Sequence, residues 1–289
     1  MKTKLLSQAI VLASVCGAIS PAMALKVAEG TAEDVGKWQL DVGGFYYAAL
    51  YTANSKGPTN ADFDNTDVST NGEIHFQPTV ELDNGIVIGA HVEFEAETNG
   101  DQVDESYVFV KSKYGKLVFG SDNSAGYNMS LVAPSAVNLA DPIKPEQPVW
   151  VNDFLPTSFG LDSVYRGTLG TTRLENGRNN DAKRISYYSP EIGGLKLGFS
   201  YANDGLQDNF GPTNCDTTSC NIFDAAAQYD LETDVFTLKA STRYSHLEGP
   251  ASVGNGEIFG GGLHLGFGPV TIGGSYACLL YTSDAADES

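Results

Sequence analysis

The sequence predicts an all-β fold, a transmembrane antiparallel β-barrel, and three observations predict it. Polar and apolar residues alternate along one segment after another. The connections between those segments alternate between short and long. Beyond residue 24 there is no long apolar run, so any crossing of a membrane falls to strands, which never score as apolar stretches.

Residues 1–24 read as a secretory leader. Met1-Lys2-Thr3-Lys4 is basic, Leu5 to Ile19 is largely apolar, and Pro21 is followed by Ala22-Met23-Ala24, a small-residue cleavage signal. The apolar part is too short and wrongly flanked for a spanning helix. Cleavage after Ala24 is expected, with the mature chain starting at Leu25. Cys16 belongs to the leader, because a lipoprotein signal wants a small residue before its cysteine and Val15 stands there.

In the mature chain the first strand sets Leu40, Val42, Tyr46, Ala48 and Leu50 against Gln39, Asp41, Phe45 and Tyr47. The second is the clearest. From Glu73 to Leu82 every odd residue is polar and every even residue apolar, which puts a wet face against a greasy one. Asp83-Asn84-Gly85 is a hairpin turn signal. The next strand sets Ile88, Ala90, Val92, Phe94 and Ala96 against Gly89, His91, Glu93, Glu95 and Glu97. Hairpins at 105–120 and 183–201 follow with a weaker pattern. Phe223 to Leu231 and Phe236 to Tyr244 alternate again, then Phe259 to Phe267 and Val270 to Tyr276.

Short turns fall at 83–85, 113–116, 190–194, 232–234 and 268–269, and long loops at 53–72, 98–104, 121–182, 203–221 and 245–257. A soluble sandwich has no reason to gather every long connection at one end, whereas a membrane barrel has short periplasmic turns and long external loops. About eleven strands precede residue 277, each near the roughly 9–11 residues that a tilted strand needs to span. The polar face is then the lumen and the apolar face meets lipid.

The balance of charge, Asp+Glu 36 against Lys+Arg 17, makes nucleic acid an unsuitable partner. Gly 32, Tyr 14 and Phe 14 suit tight turns and interfacial aromatic rings. There is no H-E-x-x-H, nucleophile elbow or P-loop, so no enzyme and no cofactor is expected. Asp62-Phe63-Asp64-Asn65-Thr66-Asp67 has oxygen ligands but lacks the central glycine and final glutamate of a calcium loop, and no metal site is expected. Cys215 and Cys220 flank a short polar run in a long loop and are expected to pair in an oxidising compartment.

Two stretches carry a resemblance. Asp104-Glu105-Ser106-Tyr107-Val108-Phe109-Val110 through Tyr114-Gly115-Lys116-Leu117-Val118-Phe119-Gly120, and Arg184-Ile185-Ser186-Tyr187-Tyr188-Ser189-Pro190 through Gly193-Gly194-Leu195-Lys196-Leu197-Gly198-Phe199-Ser200-Tyr201, resemble the general porins of Gram-negative outer membranes, in particular the alphaproteobacterial branch. The resemblance implies a trimeric barrel of the sixteen-stranded family among lipid and lipopolysaccharide, passing ions and small hydrophilic solutes. It also implies that the loop at 121–182 folds inward and narrows the pore. The acidic Pro-Glu-Phe-Gly-Gly-Asp-like segment common in that loop is missing here.

On this reading Asp41, Glu73, His75, Glu81, His91, Glu93, Glu95 and Glu97 line the lumen, a wall of carboxylates that favours cations. Arg184, Lys196, Lys239 and Arg243 bring positive charge from later strands, facing loop acids such as Asp153 and Asp162 across the pore. Arg166, Arg173 and Arg178, in the loop's second half, are read first as solvated loop residues, with projection into the pore and contact with lipopolysaccharide phosphates left open as alternatives. The aromatics Phe45, Tyr47 and Tyr51 leave open a solute-specific channel. A surface adhesin would need larger external domains.

Alternation is expected to stop after Ala277. Residues 278–289, Cys278-Leu279-Leu280-Tyr281-Thr282-Ser283-Asp284-Ala285-Ala286-Asp287-Glu288-Ser289, resemble a translated transposase-type sequencing adapter. An odd count of about eleven strands would leave an open edge in lipid, so the natural gene is expected to continue for about five more strands. The barrel then occupies residues 25–277, with 278–289 trailing from it, and the 289-residue chain should form no closed trimer.

Overall fold

The protein is described by a computed structural model over residues 25–32, 36–56, 62–96, 102–131, 181–207, 213–250 and 254–282. One antiparallel 12-stranded sheet runs in sequence order. Its strands are β1 (Leu25–Ala32), β2 (Gly36–Lys56), β3 (Asp62–Glu81), β4 (Val87–Glu95), β5 (Val103–Ser112), β6 (Gly115–Ser121), β7 (Lys183–Tyr188), β8 (Leu195–Asp204), β9 (Cys220–Glu232), β10 (Thr237–Glu248), β11 (Asn255–Phe267) and β12 (Val270–Thr282), with one short helix, α1 (Ala125–Asn128). Among the described residues β1 and β12 are the two edges of the sheet and do not pair with each other. No helix among them is long and apolar enough to cross a membrane.

Three expectations need correcting. The strand missed by sequence is β1, whose register against β2 shifts between Lys26 and Ala28. A register shift of that kind breaks the period of two on which a sequence reading of a strand depends. With β1 counted, the described residues hold 12 strands where about eleven were expected. Residues 53–72 are largely strand, because β2 and β3 stay paired from Lys37↔Glu81 to Lys56↔Asp62. At 21 and 20 residues these strands extend over about 65 Å at roughly 3.3 Å per residue, about twice the hydrocarbon core, so the hairpin projects well beyond it. Finally, β12 does not stop at Ala277. It pairs on through Cys278↔Phe259, Leu280↔Glu257 and Thr282↔Asn255. A backbone ladder needs donors and acceptors rather than side-chain alternation, and β11 offers them back to Asn255.

The two faces are as different as the alternation predicts. On β4 His91 and Glu93 are buried while Ile88 and Phe94 are exposed; on β5 Glu105, Tyr107 and Phe109 are buried while Val108 and Val110 are exposed. On β8 and β9, Ser200, Ala202, Asp224 and Gln228 turn inward, and Phe199, Tyr201 and Phe223 turn out. An outward apolar band over a polar interior inverts a soluble protein and is the pattern that lipid requires.

Turn chemistry explains the short connections. Between β3 and β4, Gly85 has φ 78, its N–H donates to Leu82 O at 2.9 Å, and Leu82 N–H donates to Ile86 O at 2.8 Å. Gly268, with φ 57, opens the two-residue connection from β11 to β12. Both positions favour a residue without Cβ.

Candidate functional site on the inner wall

The chain leaving β6 turns inward. Ser124 caps α1, its Oγ accepting from Tyr127 N–H at 3.1 Å, and the same hydroxyl donates to Asp224 Oδ1 on β9 at 3.0 Å. Ala125 N–H donates to Ser200 Oγ on β8 at 2.5 Å. Asn128 Nδ2 donates to Tyr188 OH on β7 at 3.0 Å, and Leu131 N–H to Ser241 Oγ on β10 at 2.8 Å. Asn123 Nδ2 donates to Glu105 Oε1 on β5 at 2.7 Å. Small residues let the segment lie close, since a Cβ on Gly198 would meet the Met129 sulfur and one on Gly262 the Leu131 backbone. The start of the long connection, residues 122–131, therefore lies on the inner wall.

Behind α1 lies a buried charge pair. Arg243 Nη2 reaches Asp224 Oδ1 at 3.2 Å and donates to Ser245 Oγ at 2.9 Å, and the Ser245 hydroxyl also donates to Asp224. Asp122, in the connection beyond β6, is buried too. Burial raises its carboxyl to about 6, against the opposing pull of Arg184 and Lys116.

On the β3–β4 hairpin four side chains converge. His75 Nε2 lies 2.9 Å from Glu73 Oε2 and His91 Nε2 2.6 Å from Glu93 Oε1. His75 Nδ1 is 4.0 Å from the same Glu93 oxygen. The two imidazoles stand 5.5 Å apart at 71°, with His91 stacked on Tyr107 and Phe45 edge-on to His75.

Towards the short-turn end is a cavity of about 600 Å³, lined among others by Lys111, Lys116, Lys196, Tyr107, Phe109 and Tyr188. Lys111 and Lys116 are directly opposite across the β5–β6 ladder. Lys116 Nζ sits 4.7 Å from the Phe109 ring centroid, and Lys196 Nζ 5.7 Å from that of Tyr188.

A family model described as Gram-negative porin matches residues 9–289. The chain belongs to the Gram-negative porin family. As a porin it is a channel protein of the outer membrane and not an enzyme. No curated protein matches it in sequence. Solved structures similar to this porin include a double mutant of the Rhodopseudomonas blastica porin, 13% identical, covering 84% of this chain and 85% of that one with a TM-score of 0.42. A triple mutant of the same porin is 15% identical over 84% and 85%, with a TM-score of 0.41.

Of the residues expected to line this porin's lumen, Glu73, His75, His91 and Glu93 come together as one cluster. Asp41 is half-buried and accepts from Gln39 Nε2 at 2.7 and 2.6 Å. Glu95 is half-buried, while Glu81 and Lys239 are exposed near the short-turn end of their strands. Arg184 is buried, its Nε donating to Ala182 O at 3.2 Å. Arg243 is buried and pairs with Asp224 at 3.2 Å. Glu97, Asp153, Asp162, Arg166, Arg173, Arg178 and the leader lie outside the described residues, as do the side chains of Asp62 to Asp67, Tyr47 and Tyr51. Cys215 and Cys220 are bridged. Sequence reasoning did not select Glu105, Asp122, Asp224, Lys111 or Lys116. Asp224 stood on the polar side of a clean alternation, a signal sufficient to find it.

Proposed function

We propose that this porin is a water-filled channel for passive diffusion of ions and small hydrophilic solutes, with a preference for cations. The observation that carries the reading is the polar inner wall, crowded with carboxylates on β2 to β5 and crossed by the segment after β6. The excess of acid over base in the chain supports the sign of the selectivity, since a low-dielectric wall concentrates the field of its charges on the pore. Family membership supports a homotrimer among lipid and lipopolysaccharide, reached through a cleaved leader. Reconstitution in a planar bilayer tests it. Ohmic steps and a reversal potential of cation sign in a salt gradient are expected; a folded protein that adds no conductance overturns the channel, and an anion sign overturns the preference.

A second reading, a solute-specific channel, is favoured by one observation: the lysine-lined cavity with its aromatic walls. It requires saturable block of the current by a small organic anion, where simple diffusion gives none.

A further inference from the structure

We propose that the β3–β4 hairpin carries a binding site for one borderline divalent transition metal, such as zinc, formed by His75, His91 and Glu93 on the inner wall. One ligand atom from each lies within 4.8 Å of the other two, and all three residues are buried.

The roles follow from the contacts. Glu73 holds His75 through Nε2 at 2.9 Å. That hydrogen bond places the ring proton on Nε2 and presents the Nδ1 lone pair towards Glu93, 4.0 Å away. A carboxylate behind a histidine in this way fixes the tautomer and raises the basicity of the nitrogen that meets a metal. On the other side His91 Nε2 and Glu93 Oε1 are 2.6 Å apart, sharing a proton that a metal ion would displace. Tetrahedral zinc at roughly 2.0–2.2 Å from nitrogen and oxygen keeps its ligand atoms about 3.3 Å from one another. The separations of 2.6 and 4.0 Å bracket that value, and with all three ligand atoms within 4.8 Å of one another a small shift of the Glu93 carboxylate draws them towards one centre. Tyr107, stacked on His91 at 5.0 Å, and Phe45, edge-on to His75 at 6.3 Å, hold both ring planes.

The donor set selects the ion. Two imidazoles and one carboxylate suit zinc, cobalt, nickel or copper, whereas magnesium and calcium want oxygen ligands. Three protein ligands leave a fourth position for water. The hairpin register brings these residues together, with His75 directly opposite Glu93 and His91 two residues before Glu93 on the same face.

Binding is measured on the folded protein in detergent, so the result stands or falls separately from the channel reading. Titration with zinc should show one site per chain, with magnesium at least a hundredfold weaker. His91→Ala and His75→Ala should each weaken zinc at least tenfold, and Glu73→Gln should weaken it less while leaving the stoichiometry unchanged. Copper in place of zinc provides a readout that needs no variant: its electron paramagnetic resonance spectrum should show coupling to two imidazole nitrogens. A spectrum with one nitrogen or none, zinc affinity unchanged in the His75→Ala/His91→Ala double variant, or magnesium binding as tightly as zinc would each overturn the site.

Discussion

Ser124 and Asp224 stand a hundred residues apart in sequence and 3.0 Å apart in space, and through that bond the cap of α1 is fixed to the inner wall of β9. The same carboxylate neutralises Arg243 at 3.2 Å. Asp224→Ala would therefore take the paired carboxylate away from a buried guanidinium, a change that costs up to about 3–5 kcal/mol, and release the cap as well. Ser124→Ala removes one hydrogen bond, worth about 1 kcal/mol. The expected outcome is a lower heat-modification midpoint on gels for Asp224→Ala than for Ser124→Ala, with noisier single-channel currents as the anchored segment moves. Wild-type stability and quiet currents in Asp224→Ala would contradict the anchoring role.

Lys116 faces Lys111 across the ladder, and among the described residues neither has an ion pair. Like charges directly opposite each other in a sheet cost roughly 0.2–1 kcal/mol. Lys116→Gln relieves that repulsion and also removes a charge that helps Asp122 ionise, so stability should change little while one positive charge leaves the wall. The reversal potential in a salt gradient should move further towards cations. A shift towards anions would mean that Lys116 does not face the conducting path.

Much of the fold is legible in the amino-acid sequence alone. The strict alternation from Glu73 to Leu82 fixes which face of β3 is wet, and Asp83-Asn84-Gly85 fixes the register of β3 on β4. Counting outward from that turn places His75 opposite Glu93, so the four-residue cluster is within reach of sequence once the hairpin is paired; reading the histidines one at a time hides it. β5 is harder, because Tyr107 and Phe109 are aromatic on the inner face while Val108 and Val110 are apolar on the outer, and hydropathy does not separate the two sides. The contact of α1 with Asp224 and Ser200 depends on how a chain segment crosses the interior, and no local pattern encodes it. The bulge in β1 removes the period that would have revealed that strand.

Cys215 and Cys220 are bridged in the connection before β9. Closing so short a loop restricts the unfolded chain by about 2 kcal/mol. Non-reducing peptide mapping should recover the two cysteines joined, with Cys278, the free cysteine among the described residues, open to alkylation. Reduction should speed proteolysis of residues 205–219 without unfolding the sheet, because Cys220 also pairs with Glu248 and Asp204 through the ladders. Labelling of both cysteines before reduction would refute the bridge.

Asp122 gives the protein a dependence on pH that can be assigned in advance. Its carboxyl is raised from the ordinary 3.8 to about 6, first by burial, with Arg184, Lys116 and the hydrogen bond from Asn128 pulling the other way. A raised value means that the folded protein holds the proton more tightly than the unfolded chain. Below about pH 4 both states are protonated and there is no penalty. Between about pH 4 and 6 the unfolded chain ionises first and stability falls; above about 6 both are ionised and the full loss remains. Asp122→Asn keeps an oxygen for Asn128 Nδ2, which now donates to Asp122 Oδ1 at 3.3 Å, and cannot ionise. Thermal unfolding in detergent at pH 4 and pH 7 should show a smaller fall for this variant than for the wild type. An identical fall in both would place the titrating group elsewhere on the wall.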